Sequence, residues 1–192
     1  SVTFGLGSSR ATLHIGGKAD AGTVYAKDAS RPMVFTVDST LLDEVKKSAG
    51  DLRRKDLFEF RAFNATSIQI ARGGDTRSFE KVKGDGKDAP EKWRETKPAA
   101  KDLDAAAFDD FLTKLTSLRA QSFVEAGAKT RTGLETPALA VTVRFDDGKK
   151  EEKVTFGRAG ADVHAAMAGQ PGAAMIDATE FDDVLKAFEA IK

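Results

Sequence analysis

The stretch IDATEFDDV, residues 176–184, decides the fold prediction because the chain contains two further variants of it. VDSTLLDEV occupies residues 37–45, and LDAAAFDDF occupies residues 103–111. All three begin with an apolar residue, an aspartate and two small residues. They then share leucine or phenylalanine at the sixth position, followed by two acidic residues and an apolar one. A pattern that recurs in this way predicts an internal repeat.

Each copy has the features of a helix start. Asp38, Asp104 and Asp177 are placed to accept hydrogen bonds from the free N–H groups of a first helical turn. The apolar residues on either side of that turn form a hydrophobic staple, and the acidic pair is favoured near a helix N-terminus. The apolar spacing downstream then predicts three amphipathic helices. They are expected near residues 39–53, 103–119 and 178–191.

Segments with an apolar residue at every second position precede each predicted helix. In the clearest of them, a strand at 139–145 is followed by the turn DDGK at 146–149 and a returning strand at 153–157. Further strands are expected at residues 2–4, 13–16, 24–26, 67–72, 77–82, around Trp93, at 163–167 and at 173–176.

These patterns predict an α+β fold made of internally repeated antiparallel β-meander units, each followed by one amphipathic helix. Residues 1–56 form repeat unit 1, with a β-meander and a helix. Residues 57–132 form a middle unit with a β-hairpin, a further strand and a helix. Residues 133–192 form a second repeat unit equivalent to the first.

Composition excludes several classes of protein. Thirty basic and thirty acidic residues give a net charge of zero, so the basic excess typical of nucleic-acid binding is missing. The chain has no cysteine, which removes disulfides, thiolate nucleophiles and cysteine-bound metals. No apolar run approaches the roughly 20 residues of a membrane helix. Since the sequence starts at Ser1, we expect any anchor or targeting segment to lie outside it.

The titratable residues predict no catalytic, cofactor or metal site. His14 and His164 are the two histidines, and Asp162 with His164 supplies two ligands where a metal needs three or four. The acidic pairs at 43–44, 109–110 and 182–183 recur at one position of the repeat, so helix-start electrostatics explains them. Residues 85–88, DGKD, lie in an expected loop and lack the spacing of a calcium-binding loop.

Trp93 and Tyr25 are the two large aromatic residues with a polar tip. Residues of this kind can serve as platforms for a ligand, and we retain both as candidates for such a site. A lone tryptophan on a strand also packs commonly into a core, so the alternative for Trp93 is a structural role.

Several segments resemble a bacterial family, the domain of unknown function numbered 4340. GLETP at 133–137, with the following hairpin and Phe156-Gly157, is similar to the family's Gly-Leu-acid-x-Pro opening. DLRRKDL at 51–57 resembles its helix exit, and WRETKPA at 93–99 resembles its central strand. Residues 115–124 resemble the run after its central helix.

The resemblance implies an extracytoplasmic accessory protein that is tethered to the membrane in its full-length form. Family members typically carry an N-terminal membrane anchor, and some are encoded beside ABC-type transport genes linked to gliding motility. A protein partner at the cell envelope, such as an ABC-type transporter component, is therefore expected. The resemblance carries over no catalytic residue.

Two functions of different classes follow from these observations. The first is a non-enzymatic interaction module that presents a surface to a protein partner. The alternative is a small-ligand or glycan-binding protein that uses a groove between units, with Trp93 and Tyr25 as platforms. A broad exposed apolar patch would favour the first, and a deep apolar pocket the second.

Overall fold

Alternating apolar and polar residues build two antiparallel sheets in the computed structural model, which describes residues 1–6, 9–47, 49–84 and 91–191. The chain divides into two units, residues 1–53 and residues 54–192. The DGKD segment at 85–88 lies outside the described residues.

The first unit contains a four-stranded sheet in which each strand pairs with the next along the chain. Its strands are β1 (Val2–Leu6), β2 (Ser9–Lys18), β3 (Thr23–Asp28) and β4 (Val34–Asp38). Ile15, Ala26 and Phe35 occupy matching positions on β2, β3 and β4, so they share one face of the sheet. Val24 and Ala26 on that face are buried.

The continuous helix expected at 39–53 is wrong. The chain instead forms two short helices, α1 (Thr40–Val45) and α2 (Ala49–Leu52). Helices of this length depend on packing of an apolar face, yet α1 contains no buried residue and Leu52 is exposed. Asp38 accepts hydrogen bonds from the N–H and the hydroxyl of Thr40 at 2.8 and 2.7 Å, but the N-cap residue is Ser39.

The second unit contains a nine-stranded antiparallel sheet in the order β8-β7-β6-β5-β10-β11-β12-β13-β9. The strands are β5 (Ala65–Arg72), β6 (Asp75–Lys83), β7 (Glu91–Lys97), β8 (Lys101–Asp102), β9 (Ala120–Val124), β10 (Leu139–Phe145), β11 (Lys150–Ala159), β12 (Asp162–Met167) and β13 (Ala173–Ile176). At its centre β10 pairs with β5, and Val143 lies opposite Ile68.

Two long helices contact each other and the strands of this sheet. They are α3 (Ala105–Ser117) and α4 (Ala178–Ala190). The predicted caps are confirmed, because Asp104 accepts from the N–H groups of Ala106 and Ala107, and Asp177 accepts from those of Thr179 and Glu180. The longest of these four bonds is 3.1 Å.

The core of the second unit follows the predicted alternation. Strand β10 buries every second residue, from Leu139 to Phe145, and the helices bury one face each. The largest fully buried side chains are Phe58, Phe60, Phe79, Phe108, Phe111, Phe156, Phe181, Ile68, Ile70, Leu112, Leu115 and Leu118.

The α+β class and the antiparallel sheets are therefore confirmed. A repeated unit that ends each time in one helix is not evident in the structure. The chain divides into two units, and strands of the middle and last predicted units share one sheet. Strands β4, β8 and β9 were not predicted. The Asp146-Asp147 turn is confirmed, with both residues at positive φ, 52° and 58°.

Candidate functional site

Exposed apolar side chains gather around β4, one of the two edge strands of the first sheet. Met33, Val34 and Phe35 are consecutive and exposed, Met33 by 64%. Tyr25, 49% exposed, lies on the neighbouring strand β3. Val34 pairs with Lys27 and Phe35 pairs with Ala26. Because successive residues of a strand point to opposite faces, apolar side chains are exposed on both faces of the sheet at this edge. We call Tyr25, Met33, Val34 and Phe35 the β4 surface.

The other aromatic candidate, Trp93, lies on β7 in the second unit and is half-buried. Its ring centroid is 5.0 Å from that of Phe108 on α3. The Nζ of Lys81 lies 5.4 Å from the centre of the indole, within range of a cation–π contact. The indole is thus engaged by a core phenylalanine and by a lysine, which is the packing arrangement considered as the alternative for this residue.

The two histidines belong to different units and different environments. His14 is exposed on β2, whereas His164 is buried on β12 and its Nδ1 has no hydrogen-bond partner among the residues that the structure describes. Asp162, at the start of β12, is exposed. Within the described ranges, no group of three or more histidine, aspartate or glutamate side chains could hold a metal ion.

Two glycines pack against each other beside His164. Gly157 pairs with His164 across β11 and β12. A methyl group on Gly157 would lie 2.5 Å from the backbone nitrogen of Leu134, and Gly133 has φ +69°. Gly133, in the GLETP segment, and Gly157 are both glycine because the two backbones approach too closely for a side chain at either position. This contact is structural.

The acidic pairs take part in surface ion pairs. Asp182 pairs with Arg158, and Asp110 pairs with Lys114 one helical turn away. Lys186 Nζ lies 2.9 Å from Asp183, and Lys47 Nζ lies 2.6 Å from Glu44. These contacts fit the interpretation as helix-start and surface charges, to which the pair of Asp182 with Arg158 on β11 adds a contact between elements.

An open cleft of about 440 Å³ runs along β11 and the segment that enters the second unit. Glu152, on its wall, accepts hydrogen bonds from the N–H of Glu59 at 2.8 Å and that of Phe60 at 3.4 Å. Burial raises the pKa of Glu152, and the nearby charge of Glu59 acts in the same direction. These effects outweigh the two backbone donors, which lower it.

The sequence analysis did not identify Glu152 as a partly buried acid, although the pattern of β11 indicates it. It shares a strand face with Val154 and Phe156, which are buried, so an acid interrupts an apolar series. Its carboxylate holds the backbone of residues 59–60 in place. The lining of the cleft mixes acids with Arg54, Lys150 and Lys153. We interpret Glu152 as a positioning group for this segment.

Glu95 is a second buried acid that sequence reasoning missed. Arg77 and Lys101 both bond to its carboxylate. Burial alone would raise the pKa of Glu95, but the hydrogen bonds from Arg77 and Lys101 outweigh burial and hold this pKa below its usual value. Since every carboxylate oxygen has a cationic partner, Glu95 ties β6, β7 and β8 together.

Comparison with known proteins gives one finding. A family model described as "Domain of unknown function (DUF4340)" matches residues 1–137. No curated protein and no solved structure matches the chain. As for the membrane, none of the helices in the described part of the chain has the length and apolar character to span it.

Proposed function

Because the chain belongs to the DUF4340 family, a domain of unknown function, we propose that it is a non-enzymatic module that binds a protein partner through the β4 surface. The proposal places it outside the cytoplasm, on the periplasmic or outer face of the inner membrane, tethered in the full-length protein. The expected partner is a cell-envelope protein such as an ABC-type transporter component. Location and partner rest on the family resemblance.

The observation that carries the proposal is the run Met33-Val34-Phe35, which is exposed together with Tyr25. Three consecutive exposed apolar residues are unusual on a soluble protein unless they serve binding. Val34 and Phe35 lie on an edge strand, and Met33 directly precedes it. No strand of the described residues pairs with the outer edge of β4, so its outward N–H and C=O groups can pair with a strand of a partner. The apolar side chains on both sides of the edge would then enter apolar pockets of that partner.

The clefts of the second unit give less support to a small-ligand function. The cleft beside Glu152 is open and lined by charged groups, whereas ligand pockets are mostly apolar and bury most of the ligand. Trp93, the platform considered for a glycan, is engaged by Phe108 and Lys81. The β4 surface is therefore the better candidate.

Site-specific photo-crosslinking tests the proposal. A photoreactive phenylalanine analogue is placed at Tyr25 or at Val34 in the full-length protein in its own cells. The matched control carries it at Lys149, an exposed position in a hairpin turn of the second unit. We expect one cell-envelope protein to crosslink from both β4-surface positions and not from the control. Equal products from all three positions, or none from Tyr25 and Val34, would contradict the proposal.

The repeat predicted from the sequence is part of the proposal, and strand register supports it. The first meander, β1 to β4, and the last, β10 to β13, pair corresponding residues at three matched positions, although β2 has a register shift between Ile15 and Lys18 that β11 lacks. These pairs are Val2–Leu13 and Val141–Val154, Ile15–Ala26 and Phe156–Ala165, and Val24–Val37 and Val163–Ile176. In an experimental structure the strands of the two meanders should superpose, and a different register at these three matched pairs would contradict the repeat.

A further inference from the structure

The outer edge of β1 is a second open strand edge, distinct from the β4 surface. No strand pairs with it in the part of the chain that the structure describes. The strand VTFGL carries no charge and no proline, the usual means of blocking an edge against pairing. By contrast β8, at one end of the nine-stranded sheet, is two residues long and both are charged.

The second unit shows what covers the corresponding edge there. Strand β10 is the counterpart of β1 by register, since Val2 pairs with Leu13 as Val141 pairs with Val154. The outer edge of β10 is covered by β5, the first strand of another meander, in antiparallel pairing. Two meanders are thus joined there through their first strands.

Phe4 on β1 and the corresponding residue on β10 differ in exposure. Phe4 lies two residues after Val2, as Val143 lies two residues after Val141, so Phe4 and Val143 correspond. Val143 is fully buried opposite Ile68 of the joined meander, whereas Phe4 is 56% exposed. An apolar residue of this size at the centre of an edge strand is expected to be covered when a neighbouring strand is added.

We infer that the edge of β1 binds the first strand of a second meander, supplied by β1 of a second copy of this chain. The two β1 strands pair antiparallel about a two-fold axis, so the same edge serves both partners. The joined sheet has eight strands, and Phe4 of each copy is covered at the joint. The inference rests on strand register, not on the β4 surface, so either proposal can fail alone.

The test is the oligomeric state of the 192-residue chain across a concentration series, measured by light scattering after gel filtration. We expect a concentration-dependent dimer that Phe4→Lys weakens by about tenfold or more, since it places a charge at the centre of the joint. Thr36→Lys is the matched control. It adds the same charge at an exposed position on β4, the opposite edge, and should leave the dimer unchanged.

Amide hydrogen exchange provides a second readout that does not depend on a variant. Exchange of residues 2–6 should slow as wild-type concentration rises, while exchange of β3 stays constant. For Phe4→Lys, unchanged exchange in β3 shows that the sheet still folds. A chain that stays monomeric throughout the series would overturn the inference. So would a dimer that Phe4→Lys leaves intact, or one in which exchange of residues 2–6 does not change.

Discussion

Arg77 holds Glu95 through two parallel hydrogen bonds, from Nε to Oε1 at 2.6 Å and from Nη2 to Oε2 at 2.9 Å. The Glu95 side chain is 1% exposed and that of Arg77 is 20% exposed. Arg77 also donates from Nη1 to the carbonyl of Ile191, so this pair links two neighbouring strands to the end of α4. Loss of Glu95 leaves the largely buried guanidinium of Arg77 without its counter-charge.

Glu95→Gln should lower the free energy of unfolding by about 3 kcal/mol at neutral pH, because the guanidinium of Arg77 loses its counter-charge. Urea unfolding followed by the fluorescence of Trp93, the single tryptophan, reports on the second unit. Glu80→Gln, at an exposed position on β6, is the control and should change stability by less than about 0.5 kcal/mol. Similar losses in the two variants would contradict this account.

The same pair predicts a pH dependence. The pKa of folded Glu95 lies below its ordinary value of 4.5. Its carboxylate therefore contributes stability that is present above pH 4.5 and is lost as the pH falls through the lower folded pKa. The stability difference between wild type and Glu95→Gln should shrink in acid. Unfolding curves at a series of pH values check this, and a difference that grows in acid would show that another group dominates.

Gly157→Ala should destabilise the second unit by about 1–3 kcal/mol, because the added methyl group would press on the backbone of residues 132–134. Thermal melting with fluorescence detection measures the loss. Lys153→Ala, exposed on the same strand, serves as the control and should stay within about 0.5 kcal/mol of wild type. If Gly157→Ala left the stability unchanged, the two backbones would be able to move apart at no cost, which would contradict this account.

Asp104→Ala should cost about 1 kcal/mol, because the N–H groups of Ala106 and Ala107 lose their acceptor at the start of α3. Asp109→Ala removes the same charge from an exposed position further along the helix and should change stability by less than about 0.5 kcal/mol. Denaturant unfolding of both variants decides. An equal cost would indicate that general electrostatics, and not the cap, is responsible.

Trp93→Ala should lower stability by about 2 kcal/mol, below the range for fully buried aromatics, because the indole is half-buried against Phe108. Trp93→Phe should retain most of that stability, since a smaller ring keeps the aromatic contact. Circular dichroism is the measurement, because both variants lack the fluorophore. If neither variant were destabilised, the indole would contribute little packing and the ligand-platform hypothesis would regain weight.

The sequence predicted what local patterns determine. Asp104 and Asp177 cap helices because their hydrogen bonds reach only two or three residues ahead. The alternation in 139–145 defined a strand because its inward positions are all apolar. The prediction of one long first helix was wrong because it relied on the sequence pattern alone. The buried apolar face that stabilises α3 and α4 is absent from α1.

The missed features depend on partners that are distant in sequence. The pairing of β5 with β10 has no local signature, so the nine-stranded sheet could not be deduced. Glu95 and Glu152 are buried by elements remote in the chain. For Glu152 the buried Val154 and Phe156 on the same strand face were a usable clue, whereas Glu95 has only Trp93 as an apolar neighbour on its face. Only one member of the β4 surface, Tyr25, was identified from the sequence. The exposure of residues 33–35 depends on which strands pair with β4, and the local sequence does not show that.

The strand order of the second unit has a consequence for synthesis of the chain. Strands β10 to β13 lie in the sheet between β5 and β9, both of which precede them in the chain and are translated first. Until that last meander is released, β5 and β9 each lack the neighbour that finally covers one edge. Sheets built from such non-local pairings fold slowly and expose unpaired edges meanwhile. The second unit therefore cannot complete its sheet until β13 has been translated: β5 keeps an unpaired edge until β10 is made, and β9 keeps one until β13 is made.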